Sequence, residues 1–254
     1  MALLEVVSEP FDRQRSAVAG YAEMLNRRYD HWRARDVLED VIRHEFMGHI
    51  ALVSSFGAES VVLLHLVASV APDLPVIFID SGKMFGSTYR YRDETVARLG
   101  LKDVRVAKPD PHALALQDAD SALWLRNPDK CCAIRKVAPL SRALSGFDAW
   151  ISGRKRYHGG TRATLPLVEA DGERIKVNPL AGWSKEEIET YRELHDLPDH
   201  PLVADGFRSI GCMPCTTRVA EGEDERDGRW RGTEKTECGI HLGLPALETD
   251  GSGI

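Results

Sequence analysis

The feature that most constrains the fold is an alternation of short apolar runs with longer amphipathic segments. The apolar runs cover residues 49–54, 76–79, 104–107, 149–152 and 176–180. Each run ends near a Gly, Ser, Asp or Pro, which is typical of buried strands. Helix-length segments separate the runs, and one of them opens with a capping box of Ser184 and Glu187. This alternation predicts an α/β fold with a parallel sheet that helices cover on both faces.

Composition divides the chain into three parts. Residues 1–47 predict an N-terminal helical segment, with helices over 12–27 and 33–46. Residues 48–220 carry the alternating pattern and form the predicted α/β domain. Residues 221–254 are rich in glycine and charge, so we expect a mobile C-terminal tail that becomes ordered only where it docks.

Charge and hydropathy exclude several classes of protein. The 254 residues carry 33 basic and 39 acidic side chains, for a formal net charge of −6. A general nucleic-acid binder needs a basic face to displace counterions, so we expect no nucleic-acid partner. No apolar stretch approaches the roughly 18 residues of a membrane span, so we expect no membrane association. Glu5 and Glu9 replace the basic start of a secretory signal, which predicts a cytoplasmic protein.

A loop of small residues, SSFGAES at 54–60, connects the first predicted strand to an apolar helix. Such a loop presents backbone N–H groups and the positive end of the helix dipole to an anion. Ser55, Gly57 and Ser60 are therefore candidate substrate-binding residues. The loop is neither a Walker A motif nor a GxGxxG fingerprint, and an ordinary strand-to-helix turn is the alternative interpretation.

The same loop resembles the modified phosphate (PP) loop of the ATP-pyrophosphatase superfamily, whose usual form is Ser-Gly-Gly-x-Asp-Ser. Phe56 replaces the first glycine and Glu59 replaces the aspartate. We expect Phe56 to narrow the phosphate cradle, which disfavours ATP chemistry and suits a smaller phosphosulfate group. The segment IDSGKMF at 79–85 is similar to the Asp-Thr-Gly stretch of that superfamily, with Ser81 for the threonine. The resemblance implies a parallel-sheet domain of the adenine-nucleotide alpha-hydrolase-like class.

Four of the five cysteines form two pairs, Cys131 with Cys132 and Cys212 with Cys215. An odd number of cysteines without an export signal indicates metal binding and one separate thiol. Four buried thiolates need a cation, and such a set suits Zn²⁺ or an iron–sulfur cluster. Because neighbouring side chains diverge, the adjacent pair favours a [4Fe–4S] cluster over a zinc ribbon. Buried structural cysteines without a metal are the alternative.

The fifth cysteine, Cys238, lies in the charged tail within the segment ECGIH at 237–241. Cations favour the thiolate, and several cationic or imidazole side chains are close in sequence: Arg226, Arg229, Arg231, Lys235 and His241. Cys238 is therefore a candidate nucleophile. Taken alone, a cysteine in a tail is more often incidental.

Five segments together produce a more specific resemblance. They are SFGAES at 55–60, CCAIRK at 131–136, GCMPCT at 211–216, RDGRW at 226–230 and ECGIH at 237–241. In this order they resemble the assimilatory adenosine 5′-phosphosulfate (adenylyl-sulfate) reductases within the phosphoadenylyl-sulfate reductase family. Members with the four clustered cysteines use the substrate without a 3′-phosphate, and this chain has all four.

The resemblance implies a thiol-dependent oxidoreductase with a [4Fe–4S] cluster on the four paired cysteines. Cys238 would attack the sulfur of adenosine 5′-phosphosulfate, release AMP and become S-sulfocysteine, from which thioredoxin or a similar dithiol frees sulfite. Further residues match positions that bind the phosphosulfate: Lys136, Arg162, Arg226 and Arg229. His241 is expected to contact the phosphosulfate or to close the tail against the domain.

The chain also departs from the family pattern. His158 stands where many relatives carry glutamine, which leaves the contacts of its loop open. Arg154 and Arg231 lack a clear match, and we expect both at the surface. The sequence leaves the oligomeric state open, a homo-oligomer included.

Other functions stay open at this level. One is a 3′-phosphoadenylyl-sulfate reductase, and another is an ATP-dependent adenylyltransferase on the same fold. A third is an iron–sulfur or zinc sensor, in which Cys238 would be dispensable.

Overall fold

The computed structural model describes residues 8–242, with side chains from residue 16 onward. Two helices and a π-helical turn precede the sheet: α1 (Ser8–Arg28), α2 (Ala34–Asp40) and the turn Val41–Glu45. This confirms the prediction of two N-terminal helices. None of the helices in the described residues combines the length and hydropathy that crossing a bilayer requires.

Six strands form one sheet: β1 (Ile50–Ser54), β2 (Val76–Ile79), β3 (Val104–Ala107), β4 (Ala149–Ile151), β5 (Val168–Asp171) and β6 (Arg174–Val177). Their order is β3-β2-β1-β4-β6-β5. The residues of β1, β2 and β4 are all buried, as expected for parallel strands that are covered on both faces. The predicted α/β class is confirmed.

The edge of the sheet adds one antiparallel strand to the predicted parallel sheet. The run at 176–180 is a strand only as far as Val177, and it pairs antiparallel with β5, which the apolar pattern does not reveal. β5 has the sequence VEAD, and such alternation belongs to a half-exposed edge. The signal in the sequence was Gly172, because glycine at the first of two central residues is typical of a tight hairpin turn, and its φ of 66° fits this position. Asn26 ties this edge to α1 through two hydrogen bonds to the backbone of Val168, of 2.7 and 2.9 Å.

The remaining helices connect the strands or pack beside them: α3 (Ser60–Val70), α4 (Gly86–Leu99), α5 (Pro111–Gln117), α6 (Leu123–Arg126), α7 (Pro128–Cys132), α8 (Ala138–Ala143) and α9 (Lys185–Leu194). The predicted capping box of Ser184 and Glu187 is present at the start of α9. The helical insertion α5 to α8 between β3 and β4 carries the first cysteine pair.

The strand order locates the site. From β1 the chain builds outward through β2 and β3, then returns to place β4 on the other side of β1. Open α/β sheets bind ligands in the crevice beyond the carboxyl ends of the strands at such a switch point. The loops that follow Ser54 and Ile151 flank this crevice.

Candidate functional site

A cavity opens at the carboxyl ends of β1 and β4. Its walls come from the loops after these strands, residues 208–211 and the tail between Arg226 and His241. All the predicted substrate-binding residues and the predicted nucleophile line it: Ser55, Gly57, Ser60, Lys136, Arg162, Arg226, Arg229, His241 and Cys238. Folding therefore brings the separate motifs to one place.

The structure corrects the expectation that Phe56 narrows the phosphate cradle. Its side chain is fully buried and packs edge-on against Phe78, with ring centroids 5.6 Å apart. The φ of Phe56 is 49°, in the left-handed region that glycine adopts at low cost, so the turn is retained while the ring enters the core. The close approach in this loop is at Gly57 instead. A Cβ added there would lie only 2.9 Å from the carbonyl oxygen of Ile210.

The loop after β1 uses part of its hydrogen-bonding capacity internally. The N–H of Phe56 donates to Ser54 Oγ at 3.1 Å, and the N–H of Gly57 donates to Ser60 Oγ at 2.9 Å. Two of the N–H groups predicted to face an anion are therefore already satisfied. Most of the positive charge around the cavity comes from side chains outside this loop.

Glu59 joins the two loops that flank the crevice. Its carboxylate accepts from Lys155 Nζ at 2.7 Å and from the Tyr157 hydroxyl. His158 Nε2 lies 3.2 Å from the same carboxylate, and His158 Nδ1 lies 3.2 Å from Arg162 Nη1. Because guanidinium only donates, Nδ1 accepts and the imidazole hydrogen sits on Nε2. Burial opposes ionisation of Glu59, but Lys155 and His158 outweigh it and hold the pKa of the carboxyl well below its usual range.

Two arginines that line the cavity bind the carboxylate of Glu237 in the tail. Arg162 donates to Glu237 through Nε at 2.6 Å and Nη2 at 2.9 Å, and Arg226 Nη2 lies 3.3 Å from the same carboxylate. Arg229 stacks on Trp230, with its guanidinium carbon 4.5 Å from the ring centroid. Three predicted phosphosulfate ligands therefore line the same cavity, Arg162 from the loop after β4 and Arg226 and Arg229 from the tail.

Arg154 is not at the surface, contrary to the expectation from sequence. It is 6% exposed, lines the cavity and pairs with Glu169. Arg154 follows β4 by three residues and lies in the cavity wall with the other residues of this loop. Arg231 is exposed and pairs with Glu223 at 2.8 Å, as predicted for a surface residue.

Cys238 is buried, with 8% of its surface exposed, and Lys136 Nζ lies 3.9 Å from its sulfur. A hydrogen bond from Cys132 lowers the pKa of the Cys238 thiol well below its ordinary value, burial opposes the shift, and Lys136 adds to it. Burial alone would lower the pKa of Lys136, but the surrounding thiols raise it overall. The arrangement favours a thiolate paired with an ammonium group.

His241 packs against Trp150, close to the cationic side chains of Lys176 and Arg154. Its ring stacks on Trp150 with an interplanar angle of 10° and a centroid separation of 6.1 Å. Burial, together with nearby Lys176 and Arg154, lowers the pKa of His241 well below its ordinary value. Its Nδ1 is buried and has no hydrogen-bond partner among the described residues. The lowered pKa favours the neutral ring, and Nδ1 is available to a ligand.

The two cysteine pairs meet beside this cavity. Burial is the main cause that raises the pKa of the Cys131 thiol to about 11, and negative charge on Cys212 and Cys215 raises it further. Burial also raises the pKa of Cys215, and the hydrogen bond to Cys238 raises that of Cys132. Ser81 Oγ lies 2.9 Å from the sulfur of Cys212. All five cysteines are free thiols.

A buried ion pair supports the cysteine site from behind. Arg135 donates to Asp118 through Nε at 2.8 Å and also through Nη2, and its Nη1 donates to the carbonyl oxygen of Ser81 at 2.9 Å. The side chains of Arg135 and Asp118 are 5% and 0% exposed. This pair links the π-helical turn Ala133–Val137 to the segment that follows β2.

Sequence reasoning missed several residues of the site. Glu237 stood inside a recognised motif but received no role. Lys176 lies 1% exposed on β6 with its ammonium group 4.6 Å from the Trp150 ring centroid. A lysine inside an apolar strand was the available signal, since a fully buried lysine usually has partners. The inward direction of Arg154 had no signal in the sequence.

Comparisons with known proteins agree with this geometry. The model of the phosphoadenosine phosphosulfate reductase domain matches residues 49–218. A protein of Mesorhizobium japonicum named adenosine 5′-phosphosulfate reductase is 50% identical over 236 residues, covering 92% of this chain and 93% of that protein. A protein of the same name from Mycobacterium tuberculosis is 46% identical over 195 residues, covering 75% of each chain.

Solved structures point to the same fold. The phosphoadenylyl-sulfate (PAPS) reductase of Candida auris, in a phosphate complex, is 25% identical with a TM-score of 0.65, covering 78% of this chain and 96% of that one. The FMN adenylyltransferase of Candida glabrata shares the fold alone, at 17% identity and a TM-score of 0.52, covering 87% of this chain and 84% of that one. The match to the domain and the relatives across most of the chain confirm the resemblance seen in the motifs. The chain belongs to the phosphoadenosine phosphosulfate reductase family.

Proposed function

We propose that this protein reduces adenosine 5′-phosphosulfate to sulfite and AMP in assimilatory sulfate reduction, with Cys238 as the nucleophile. The observation that carries the proposal is the burial of Cys238 at the cation-lined end of the cavity, 3.9 Å from Lys136 Nζ. The relatives named adenosine 5′-phosphosulfate reductase, at up to 50% identity, support this choice of substrate.

The cavity suits a ligand with two adjacent anionic groups. Guanidinium forks bind oxyanions through paired N–H donors, and the ammonium of Lys136 adds a point charge next to the thiol. The residues proposed to bind the substrate are Ser55, Gly57, Ser60, Lys136, Arg162, Arg226, Arg229 and His241. Fixed cations at this end stabilise the negative charge that develops on the phosphate as it leaves.

In the first step the Cys238 thiolate attacks the sulfur of the sulfate group. A bond forms between Sγ and that sulfur, and the bond from sulfur to the bridging oxygen breaks. The electron pair of the broken bond leaves on AMP, whose new phosphate charge lies against Arg162, Arg226 and Arg229. Cys238 is left as S-sulfocysteine.

In the second step a dithiol supplies the electrons. One thiolate of thioredoxin or a similar dithiol attacks Cys238 Sγ, and sulfite leaves with the electron pair of the sulfur–sulfur bond. The second thiol then resolves the mixed disulfide and restores the Cys238 thiolate. The dithiol loses two electrons and becomes a disulfide, while sulfate sulfur is reduced to sulfite. A reduced dithiol of this kind fits the cytoplasm.

The donor set of the paired cysteines fits an iron–sulfur cluster, which Cys131, Cys132, Cys212 and Cys215 would hold. The pKa values of Cys131, Cys132 and Cys215 are raised, so without a cation these thiols resist ionisation. Four buried thiolates therefore need a cation to balance their charge. Because neighbouring side chains diverge, the adjacent pair Cys131 and Cys132 suits the separate iron corners of a [4Fe–4S] cluster better than a single Zn²⁺.

Bound there, the cluster would supply a fixed anchor and a local electrostatic field beside Lys136, while the thiols supply the electrons. As a metal ligand Cys132 would no longer donate to Cys238. Lys136 would then be the main group that favours the Cys238 thiolate.

The tail is proposed to act as a separate unit, 221–254, beside the α/β domain, 48–220, and the helical segment, 1–47. Cys238 is 8% exposed, so a protein dithiol cannot reach its sulfur while the tail is docked. The tail must therefore release S-sulfocysteine from the cavity before the second step.

One experiment tests the function directly. Anaerobically purified protein is given adenosine 5′-phosphosulfate or its 3′-phosphorylated form with thioredoxin, and sulfite, iron and labile sulfide are measured in the same sample. We expect sulfite mainly from the first nucleotide, about four irons per chain, and no sulfite from Cys238→Ser. Without reductant, mass spectrometry should find a sulfonate group on Cys238. Equal sulfite production by Cys238→Ser would refute the proposal.

A further inference from the structure

Glu237 is a buried carboxylate directly before the proposed nucleophile, and the mechanism above does not use it. It is 4% exposed, although it lies in a segment where most acidic side chains are in solvent. Burying a carboxylate is costly unless charged partners and hydrogen bonds compensate. Its contacts must therefore explain its position.

The carboxylate has partners on both sides. Arg162 donates two hydrogen bonds to it, of 2.6 and 2.9 Å, and Arg226 Nη2 lies 3.3 Å away. Its Oε1 also accepts from the backbone N–H of Cys238 at 2.8 Å. Burial alone would raise the pKa of Glu237, but Arg162 and Arg226 outweigh this and lower it to about 2. The group is an anion throughout the physiological range.

The two arginines keep donors for a ligand. Each guanidinium has five N–H groups. Arg162 uses Nε, Nη1 and Nη2 once each, for Glu237 and His158, and Arg226 uses Nη2 for Glu237 and the carbonyl oxygen of Thr236. Both side chains line the cavity. Glu237 thus holds one edge of each guanidinium in place, and the remaining N–H groups are available to a ligand in the cavity.

We propose that Glu237 is a positioning residue that couples the docking of the nucleophile to the orientation of Arg162 and Arg226. One carboxylate holds the backbone of Cys238 and the two guanidiniums, so the nucleophile and these cations assume their reactive arrangement together. This inference rests on the proposed function of the same site. It predicts that Glu237 contributes to the chemical step and not to the affinity for the nucleotide.

The test separates binding from chemistry. In Glu237→Gln the shape stays but the charge is lost, so both arginines carry more net charge toward an anion. The KM for adenosine 5′-phosphosulfate and the Kd for AMP should stay equal or fall. The single-turnover rate of S-sulfocysteine formation, measured by mass spectrometry, should fall about 10- to 150-fold, as for loss of a charge-assisted hydrogen bond. Glu234→Gln, at an exposed glutamate of the same tail, is the matched control and should behave as wild type.

Glu237→Asp provides a second variant if the glutamine variant does not fold. It keeps the charge but is one methylene shorter, so it should show the same split with a smaller loss of rate. A proportional rise in KM and in the Kd for AMP, or a single-turnover rate within about twofold of wild type, overturns the inference. The proposed function fails separately, if wild-type protein forms no S-sulfocysteine in the same series.

Discussion

At the residue scale, Lys136 lies between the cysteine site and Cys238, the proposed nucleophile. It lies in the π-helical turn Ala133–Val137 directly after α7, and the thiols of Cys212, Cys238 and Cys132 all act on its charge. A π-helical turn inside a helix often marks a functional position, because the extra residue redirects side chains. Here the turn follows the adjacent cysteine pair and lets the lysine face the cavity.

Replacing this lysine should slow the proposed reaction without removing the proposed cluster. Lys136→Ala loses one charge-assisted contact, worth about 1.5–3 kcal/mol, so sulfite production should fall about 10- to 150-fold. Iron and labile sulfide per chain should match wild type. Lys130→Ala, at an exposed lysine of α7, is the control. Unchanged turnover with an intact iron content would contradict the assignment of Lys136.

The free energy of unfolding should depend on pH through the titration of Lys176. Burial, with Arg154 adding to it, lowers the pKa of Lys176 from 10.5 to about 7. Between these two values the unfolded chain binds a proton that the folded chain does not, so this group's contribution to stability rises with pH. Below pH 7 both states hold the proton, and Glu169, whose carboxylate lies 3.3 Å from Lys176 Nζ, offsets part of the cost of burying the charge.

Lys176→Met should therefore be most stabilising, relative to wild type, near pH 6.5. The difference should shrink by up to about 1.4 kcal/mol for each pH unit between 7 and 9. Melting temperatures of both proteins across this range measure it, and Lys185→Met, at a half-exposed lysine, is the control. A difference that stays constant with pH would show that Lys176 does not titrate in the folded protein.

At the element scale, charged pairs and backbone pairing help to hold the tail against the rest of the molecule. Thr216 and Arg229 form an isolated antiparallel bridge, and Lys235 pairs with Asp129 on α7. Arg226 and Arg229 place tail cations in the wall of the cavity. A bound phosphate would therefore bridge the tail and the α/β domain, so nucleotide should stabilise the docked tail.

AMP should protect the tail from proteolysis. Trypsin is expected to cut after Arg231, whose side chain is 46% exposed. With AMP at about 100 times its Kd, binding favours the docked state by about 2.7 kcal/mol, so cleavage should slow by up to about 100-fold. Adenosine lacks the phosphate and should protect much less. Equal rates of cleavage with and without AMP would argue against a tail that opens.

At the scale of the whole molecule, three distant parts of the chain converge on the cysteine site. The helical insertion supplies Cys131 and Cys132, the segment after β2 supplies Ser81, and the chain before the tail supplies Cys212 and Cys215. Arg135 holds the first two parts together through its hydrogen bond to the carbonyl oxygen of Ser81, and Asp118 neutralises the same guanidinium. Stability and retention of iron should therefore depend on the same ion pair.

Asp118→Asn should lower both properties. The variant leaves the Arg135 guanidinium buried without a counter-charge, which costs about 3–5 kcal/mol of the free energy of unfolding. We expect a lower melting temperature and faster loss of iron during anaerobic dialysis. Asp120→Asn, which breaks the exposed pair with Arg126, is the matched control and should resemble wild type. Identical melting temperatures for the two variants would disprove the supporting role of Asp118.

The sequence by itself determined the α/β class, the central strands, the family and nine of the residues that line the cavity. It could do so because strand burial and motif chemistry are local properties of composition and order. Tertiary structure alone decided that Phe56 turns into the core, that Arg154 points inward, and that Glu237 meets Arg162 across 75 positions of chain. The direction of a side chain depends on the packing and charge of distant segments, and no pattern within a short stretch of sequence contains that information.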